Sequence, residues 1–225
     1  MKAVLLAAGV GRRLGSDLPK AMIEVGGKTL LDRHLETIEL LGLEPLVVTG
    51  FCAEQFAHLP TVHNPEFRRG SVLSLKRALD AVDESCIVMD ADVLYDASIL
   101  GDVAALHRGF ALDPRTEPGD EEMMLGVKGD KVRAIRRGRL EGFDLVGEGV
   151  GFFKVDRESL PALRAAIDAS DPEGDYEAAL DRFLGEHGAD YVLVRDRPWV
   201  EIDFAADVER AEQEVLPLLS EPGPR

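Results

Sequence analysis

The run Lys2-Ala3-Val4-Leu5-Leu6-Ala7-Ala8-Gly9-Val10-Gly11 decides the fold class, because a short apolar stretch that stops on small residues and glycines reads as a buried strand entering a tight turn. Working outward, helical spacing over 30–41 ends at Gly42, and an apolar strand over 45–49 ends at Gly50. A helix over 71–82, with Ser71 as its N-cap, leads to the strand Cys86-Ile87-Val88-Met89. This βαβαβ order implies an α/β fold, a three-layer α/β/α domain with a mixed, mostly parallel sheet and ligands beyond the carboxyl ends of its strands. The mixed part comes from segments 122–127 and 131–135, which flank Lys128-Gly129-Asp130 as a hairpin, and from a strand over 150–155. Helices over 160–169 and 176–186, a strand over 191–194 and a closing helix over 205–219 complete one expected domain, 1–219, with 220–225 as a flexible tail.

With 225 residues and 45% hydrophobic residues, the chain can bury a full core. Its net charge of −16 argues against nucleic-acid and anionic-membrane partners. Residues 1–28 invert that balance, with Lys2, Arg12, Arg13, Lys20 and Lys28 against Asp17 and Glu24. A basic segment in an acidic chain suits a small anionic ligand. No apolar run reaches the roughly 18 residues of a membrane span, and the start lacks the layout of a signal peptide, so a cytoplasmic protein is expected. Cys52 and Cys86 have no metal-ligand spacing and read as small hydrophobes.

Small residues at Ala7, Ala8, Gly9 and Gly11 let bare backbone N–H groups approach a phosphate, although the same glycines also suit an empty strand-to-helix turn. Two familiar glycine motifs are excluded. Leu14 stands where a dinucleotide fingerprint needs its third glycine, and Met22 where a Walker loop ending in Gly27-Lys28-Thr29 needs its first. Asp90-Ala91-Asp92 follows the third strand, and carboxylates two apart in extended chain point the same way, as a hard cation such as Mg2+ requires. Two solvated turn aspartates would look the same. Asp203, in Trp199-Val200-Glu201-Ile202-Asp203, reads either as a further metal ligand or as a cap for the helix that follows.

The continuation Leu18-Pro19-Lys20-Ala21-Met22-Ile23-Glu24-Val25-Gly26-Gly27-Lys28-Thr29-Leu30-Leu31 ties these pieces together. With the glycine loop it resembles the signature of the MobA-like sugar-phosphate and phospho-alcohol nucleotidyltransferases, a run of the type LAAGxGxRL, PK and VxGKPLL. The resemblance implies a Rossmann-like domain in which Leu6, Ala7, Ala8, Gly9 and Gly11 cradle a nucleoside triphosphate. Arg13 then contacts the β- and γ-phosphates and Lys20 the α-phosphate, as the two catalytic cations. Thr29 departs from the family's proline, which changes how the helix starts more than the chemistry. The segment Trp199 to Asp203 resembles the family's W-x-E/D-I-D ending, which implies Asp92 and Asp203 as the metal pair, with Asp90 supporting Asp92 beside the nucleotide.

Among the branches of that family, the compact phosphocholine and inositol-phosphate cytidylyltransferases are the most similar. Thr49-Gly50-Phe51 looks like their VTGY-type turn, and His63-Asn64-Pro65 with Gly70-Ser71-Val72-Leu73-Ser74-Leu75 looks like their NP and Y-S-L segments, implying Thr49, Gly50, Asn64 and Ser71 at the nucleotide. Gly147-Glu148-Gly149-Val150-Gly151-Phe152-Phe153 and Asp175-Tyr176-Glu177-Ala178-Ala179-Leu180 resemble their acceptor strand and Y-E-D-A-L helix. A cationic acceptor headgroup would need an aromatic and anionic cage, for which Glu148, Tyr176, Trp199 and Glu201, with Phe152, are the candidate walls. Leu73 replaces the aromatic of the Y-S-L segment, and Gly70-Ser71 replaces a tandem Asn, so the acceptor is not carried over. The expected activity is transfer of CMP from CTP to a phospho-alcohol, with Mg2+ and release of pyrophosphate. Use of UTP or dTTP with a sugar 1-phosphate, a DxD glycosyltransferase and a non-catalytic nucleotide-binding paralogue stay open as alternatives. The sequence carries no oligomerisation signature, and a homodimer stays open too.

Overall fold

A computed structural model describes residues 1–11, 18–119 and 122–219. Four parallel strands form one half of the main sheet: β1 (Lys2–Ala7) lies between β4 (Glu44–Thr49) and β6 (Cys86–Asp90), and β5 (Thr61–His63) adds to β4. Between β1 and β4 come the short hairpin β2 (Glu24–Val25) and β3 (Lys28–Thr29) and the helix α1 (Leu30–Leu40). Helix α2 (Ser71–Asp80) precedes β6, and β7 (Val93–Tyr95) and α3 (Ala97–Ala105) follow it. The other half holds β8 (Gly109–Asp113), β9 (Met123–Lys128), β10 (Lys131–Arg137) and β11 (Leu145–Val155), followed by α4 (Leu160–Asp168), α5 (Tyr176–His187) and β12 (Asp190–Leu193). Strand β13 (Trp199–Glu201) pairs with β7 outside the main sheet, and α6 (Ala205–Arg210) begins the closing segment. Strands β10 and β11 run against the rest of the nine-stranded sheet, which is therefore mixed with mostly parallel strands, as expected.

Strand alternation builds the three layers. Val4, Val48 and Val88 point to a core shared with α2, α4 and α5, whereas Ala3, Leu5, Val47, Ile87 and Met89 point to the opposite core, shared with α1 and α3. A smaller cluster of Val25, Leu30, Leu94, Val200, Ile202, Ala211 and Val215 ties β7, β13 and the closing helix to the start of α1.

Three local expectations are corrected or explained. Ser71 is the first residue of α2 and its N-cap is Gly70; the Ser71 hydroxyl instead accepts from the backbone N–H of Tyr176 at 2.9 Å, stitching α2 to the start of α5. The closing helix does not run unbroken over 205–219. After α6 it widens through Ala211–Val215 and tightens to one turn at Leu216–Leu218, because Pro217 has no N–H to give and its ring crowds the carbonyl four residues back. Thr29 suits its place without proline: its hydroxyl accepts from the Asp32 N–H at 3.0 Å and donates to the Asp32 carboxylate at 2.7 Å, capping α1. The 220–225 tail lies outside the described residues. Among the described residues no helix is long and apolar enough to cross a membrane.

His34 sits fully buried on α1 with Nδ1 3.2 Å from the Tyr95 hydroxyl, and burial lowers its pKa from 6.5 to about 4. A depressed imidazole contributes stability above the unfolded value near 6.5 and loses it as pH falls through about 4. Between pH 7 and pH 4 the wild type is therefore expected to lose roughly 3 kcal/mol more than a His34→Phe variant. Urea midpoints at both pH values measure the difference; parallel losses would remove His34 as the cause.

Candidate functional site

Parallel pairing puts the carboxyl ends of β1, β4 and β6 on one edge, in the register Ala7 to Thr49 and Leu6 to Asp90. The glycine turn after β1, the Gly50 turn and the Asp90-Ala91-Asp92 segment consequently share that edge. A methyl group on Gly9 would meet nothing within 4 Å, so the backbone there faces open space. At Gly50 it would meet the Phe67 side chain at 2.5 Å and the Ala8 carbonyl at 2.8 Å, and Phe51 donates its N–H to that same carbonyl at 3.1 Å. The two turns are locked together. Gly11 has φ +61, and its Cα lies so close to Lys20 that a Cβ would stand 3.0 Å from the lysine's Cγ. Arg13, with the rest of residues 12–17, lies outside the described residues.

Lys20 is presented by Pro19, whose carbonyl closes a single tight turn over Lys20–Met22 by accepting from Met22 at 2.9 Å. Its ammonium reaches Asp92 at 2.7 Å and also pairs with Asp203. Burial works against the charged lysine, but the two carboxylates outweigh it and hold its pKa above the ordinary value. Asp203 is brought in by β13: Glu201 pairs with Val93, and the Ile202 N–H donates to the Asp92 carbonyl at 2.9 Å. Asp207, not Asp203, stabilises the start of α6, accepting from the N–H groups of Asp203 at 3.0 Å and Phe204 at 2.7 Å. The capping reading of Asp203 thus falls, and its carboxylate is committed to the site.

Oxygens of Asp92, Glu201 and Asp203 all lie within 4.8 Å of one another. Three hard oxygen donors at this spacing suit a divalent cation. Glu201 keeps an exposed surface, yet restricted solvation, followed by repulsion from Asp92 and Asp203, raises its pKa to about 8.

Asp90 ends β6 on the α5 side and accepts from the Tyr176 hydroxyl at 2.7 Å. Burial, then repulsion from Asp92 and Glu177, raises its carboxyl pKa. Gly151 on β11 stands across from it with φ +74, and a Cβ there would come 2.9 Å from the Asp90 carboxylate. Asn64 and Thr49 are buried beneath this edge. The Asn64 amide donates to Ser74 at 3.0 Å, its carbonyl accepts from Glu66 at 3.0 Å, and its N–H meets the Thr49 carbonyl at 2.8 Å, so its visible contacts hold the loop in place.

Two cavities adjoin at the carboxylate cluster. One, of about 420 Å³, runs from Gly11, Lys20, Ser71 and Asp90 to Tyr176 and Glu177. The other, of about 550 Å³, contains Glu148 and Trp199, and Glu201 and Asp203 line both. The four residues expected at the acceptor are therefore divided: Tyr176 lies on one side, Glu148 and Trp199 on the other, and Glu201 between them. Trp199 is oriented by donating its indole N–H to Asp113 at 2.9 Å, and Arg115 grips the same carboxylate at 2.8 Å. Burial raises the Glu148 carboxyl, against a hydrogen bond from Thr116.

Sequence reasoning missed Glu177. It lines the first cavity, its Oε2 is buried without a hydrogen-bond partner among the described residues, and burial pushes its pKa up to about 7. A glutamate in a helix's first turn reads as a dipole contact, and only its place beside Tyr176 could have marked it.

The curated relatives include the bifunctional IPC transferase and DIPP synthase of Thermococcus kodakarensis, 26% identical over 94% of this chain and 50% of its own length. The chain thus spans about half the length of that protein. The UTP–glucose-1-phosphate uridylyltransferase of Haloferax volcanii is 29% identical over 95% of this chain and 96% of its own. Among solved structures, the CTP:phosphocholine cytidylyltransferase of Streptococcus pneumoniae superposes with a TM-score of 0.78 at 21% identity, covering 94% of this chain and 97% of that one. The inositol-1-phosphate CTP transferase of T. maritima gives 0.76 at 17% identity, covering 95% and 97%. These likenesses match the fold. The MobA-like NTP transferase family model matches residues 3–139, which include the glycine turn, Lys20, Asp90 and Asp92, while Asp203 and the four residues expected at the acceptor lie beyond it. A match over more than half of the chain, with its lysine and aspartates at one sheet edge, places this chain in the MobA-like NTP transferase domain family.

Proposed function

We propose that this protein transfers CMP from CTP to a phospho-alcohol and releases pyrophosphate. The observation that carries the reading is Lys20, held between Asp92 and Asp203 in the wall of the first cavity, with Asp203 lining the second cavity as well. An oxygen of the acceptor's phosphate attacks the α-phosphorus in line, a new P–O–P link forms, and the bond to the β-phosphate breaks, its electron pair leaving with pyrophosphate. That oxygen is already ionised, so no side chain has to remove a proton. Lys20 offsets charge at the α-phosphate, and in this reading Arg13 does so at the leaving group. The turn at Gly9 and Gly11 offers N–H groups to the triphosphate, with Thr49, Gly50, Asn64, Ser71 and Asp90 on the nucleotide side. Asp92 and Asp203 would hold Mg2+, whose positive charge would offset that of the phosphates. Glu148, Tyr176, Trp199 and Glu201 shape the space for the acceptor.

Pyrophosphate release across the four triphosphates, each tried with phosphocholine, phosphoethanolamine, inositol phosphate, aminoethylphosphonate and hexose 1-phosphates, tests the reading. CTP with a phospho-alcohol is expected to be fastest. The near full-length likeness to the Haloferax uridylyltransferase supports a second reading, a sugar-1-phosphate nucleotidyltransferase using UTP or dTTP. Preference for those triphosphates with a hexose 1-phosphate would install it. No release with any pair would leave neither.

The Glu177 oxygen, which has no hydrogen-bond partner among the described residues, supports a role in binding a donor on the acceptor. Glu177→Gln keeps the shape and removes the charge, so the acceptor KM is expected to rise roughly tenfold while the triphosphate KM stays put. Equal rises in both would assign the residue to the fold instead.

A further inference from the structure

We infer that Lys20 is the resident cation of the carboxylate site, tying Asp92 to Asp203 until a metal–triphosphate complex arrives, so that the divalent ion enters with the nucleotide and not before it. The inference rests on the metal-dependent transfer proposed above and adds an order of events to it.

Three carboxylates within 4.8 Å of one another repel strongly unless a cation lies among them. The ammonium of Lys20 is that cation: it is bonded to Asp92 at 2.7 Å and to Asp203, and the side chains of all three are more than two-thirds shielded from solvent. Partial shielding strengthens such charge-assisted bonds relative to exposed pairs. A divalent ion taking the same two carboxylates has to displace the ammonium, which then needs another anion. Among the described residues, the carboxylates bonded to Lys20 are these two; the third of the cluster, Glu201, would face the same divalent ion, and Gly11, packed on the lysine's stem, has no side chain to offer. A triphosphate supplies the missing anion, since its oxygens at the glycine turn lie within reach of a lysine that pivots on its four-carbon stem. One side chain therefore exchanges carboxylates for phosphate as the metal exchanges solvent for carboxylates. Lys20 is a positioning residue before binding and a phosphate ligand after it.

Direct Mn2+ binding, followed by the electron paramagnetic resonance of free Mn2+ without nucleotide, tests the inference independently of turnover. The wild type is expected to bind Mn2+ weakly, and Lys20→Met at least roughly tenfold more tightly, because the competing charge is gone while the carboxylates remain. Lys20→Arg keeps the charge and is expected to stay weak, which guards against a general effect of substitution at this position. Adding Asp203→Asn to Lys20→Met should abolish the gain. Equal, tight binding by wild type and Lys20→Met would overturn the inference while leaving the metal pair standing. No binding by Lys20→Met would overturn it as well, since the lysine would then not be the barrier; failure of the transfer reading itself appears separately, as absent pyrophosphate release.

Discussion

A Lys20→Ala enzyme is expected to turn over on the order of 10²–10³ times more slowly than wild type at saturating substrates, the range seen when one preorganised electrostatic donor is removed from a reaction centre. In the proposed reaction charge accumulates on phosphate oxygens, and no general base shares the burden. Lys20 is the described cation within bonding distance of both Asp92 and Asp203. Its loss should appear in kcat more than in the KM for either substrate, because the interaction strengthens as the α-phosphate changes geometry. The defect is expected even though the variant's carboxylates accept a divalent ion more readily, so added metal should not rescue it. Near-normal kcat in single-turnover pyrophosphate release would remove Lys20 from the chemistry.

Gly70→Ala is expected to destabilise the protein by about 3 kcal/mol and to lower Tm by roughly 6–12 °C. The reason is backbone against backbone. A Cβ at Gly70 would lie 2.3 Å from the Gly174 carbonyl oxygen and 2.7 Å from the Pro172 carbonyl oxygen, neither of which can swing aside as a side chain does. This contact is the seam where Val72 donates to Gly174 at 3.3 Å and Tyr176 donates to Ser71 at 2.9 Å. Opening it would also disturb the Tyr176 hydroxyl on Asp90. Thermal unfolding of the variant measures the first effect, and CTP affinity the second. An unchanged Tm would mean the seam yields.

The parts of this architecture that could be read from sequence are those where one local pattern carries its own meaning. The apolar run into Ala7-Ala8-Gly9 can hardly be anything but a strand and a turn, and Lys128-Gly129-Asp130 announces a hairpin that Gly129, at φ +64, completes. The pairing of Asp92 with Asp203 was not legible from spacing, since the two are brought together by β7 and β13, strands of three residues each with no periodicity to detect. It came from resemblance to a family motif. Strand β8 and helix α3 went unread for a related reason: 109–113 is buried throughout and does not alternate, and α3 is apolar over much of its surface. Ser71 shows a different limit. A serine at a helix start reads as a cap for its own helix, but its hydroxyl serves the helix 105 residues later, and nothing local distinguishes the two uses. The division of the residues expected at the acceptor between two cavities is likewise a property of packing, because Trp199 is turned by Asp113, a partner 86 residues away.

The cluster around Lys20 also sets a timetable for the newborn chain. Lys20 and Asp92 are 72 residues apart, whereas Lys20 and Asp203 are 183 apart. On the ribosome, β1, β4, β5 and β6 can pair among themselves long before β13 has been made, so the first half of the sheet can assemble with Asp92 and Lys20 already in place and the third partner missing. In the proposed reaction, nucleotide chemistry then waits until β13 has been made. On the proposed reaction, a chain halted before Asp203 would fold in part yet leave triphosphates untouched, so the making of β13 would be the step that switches the site on.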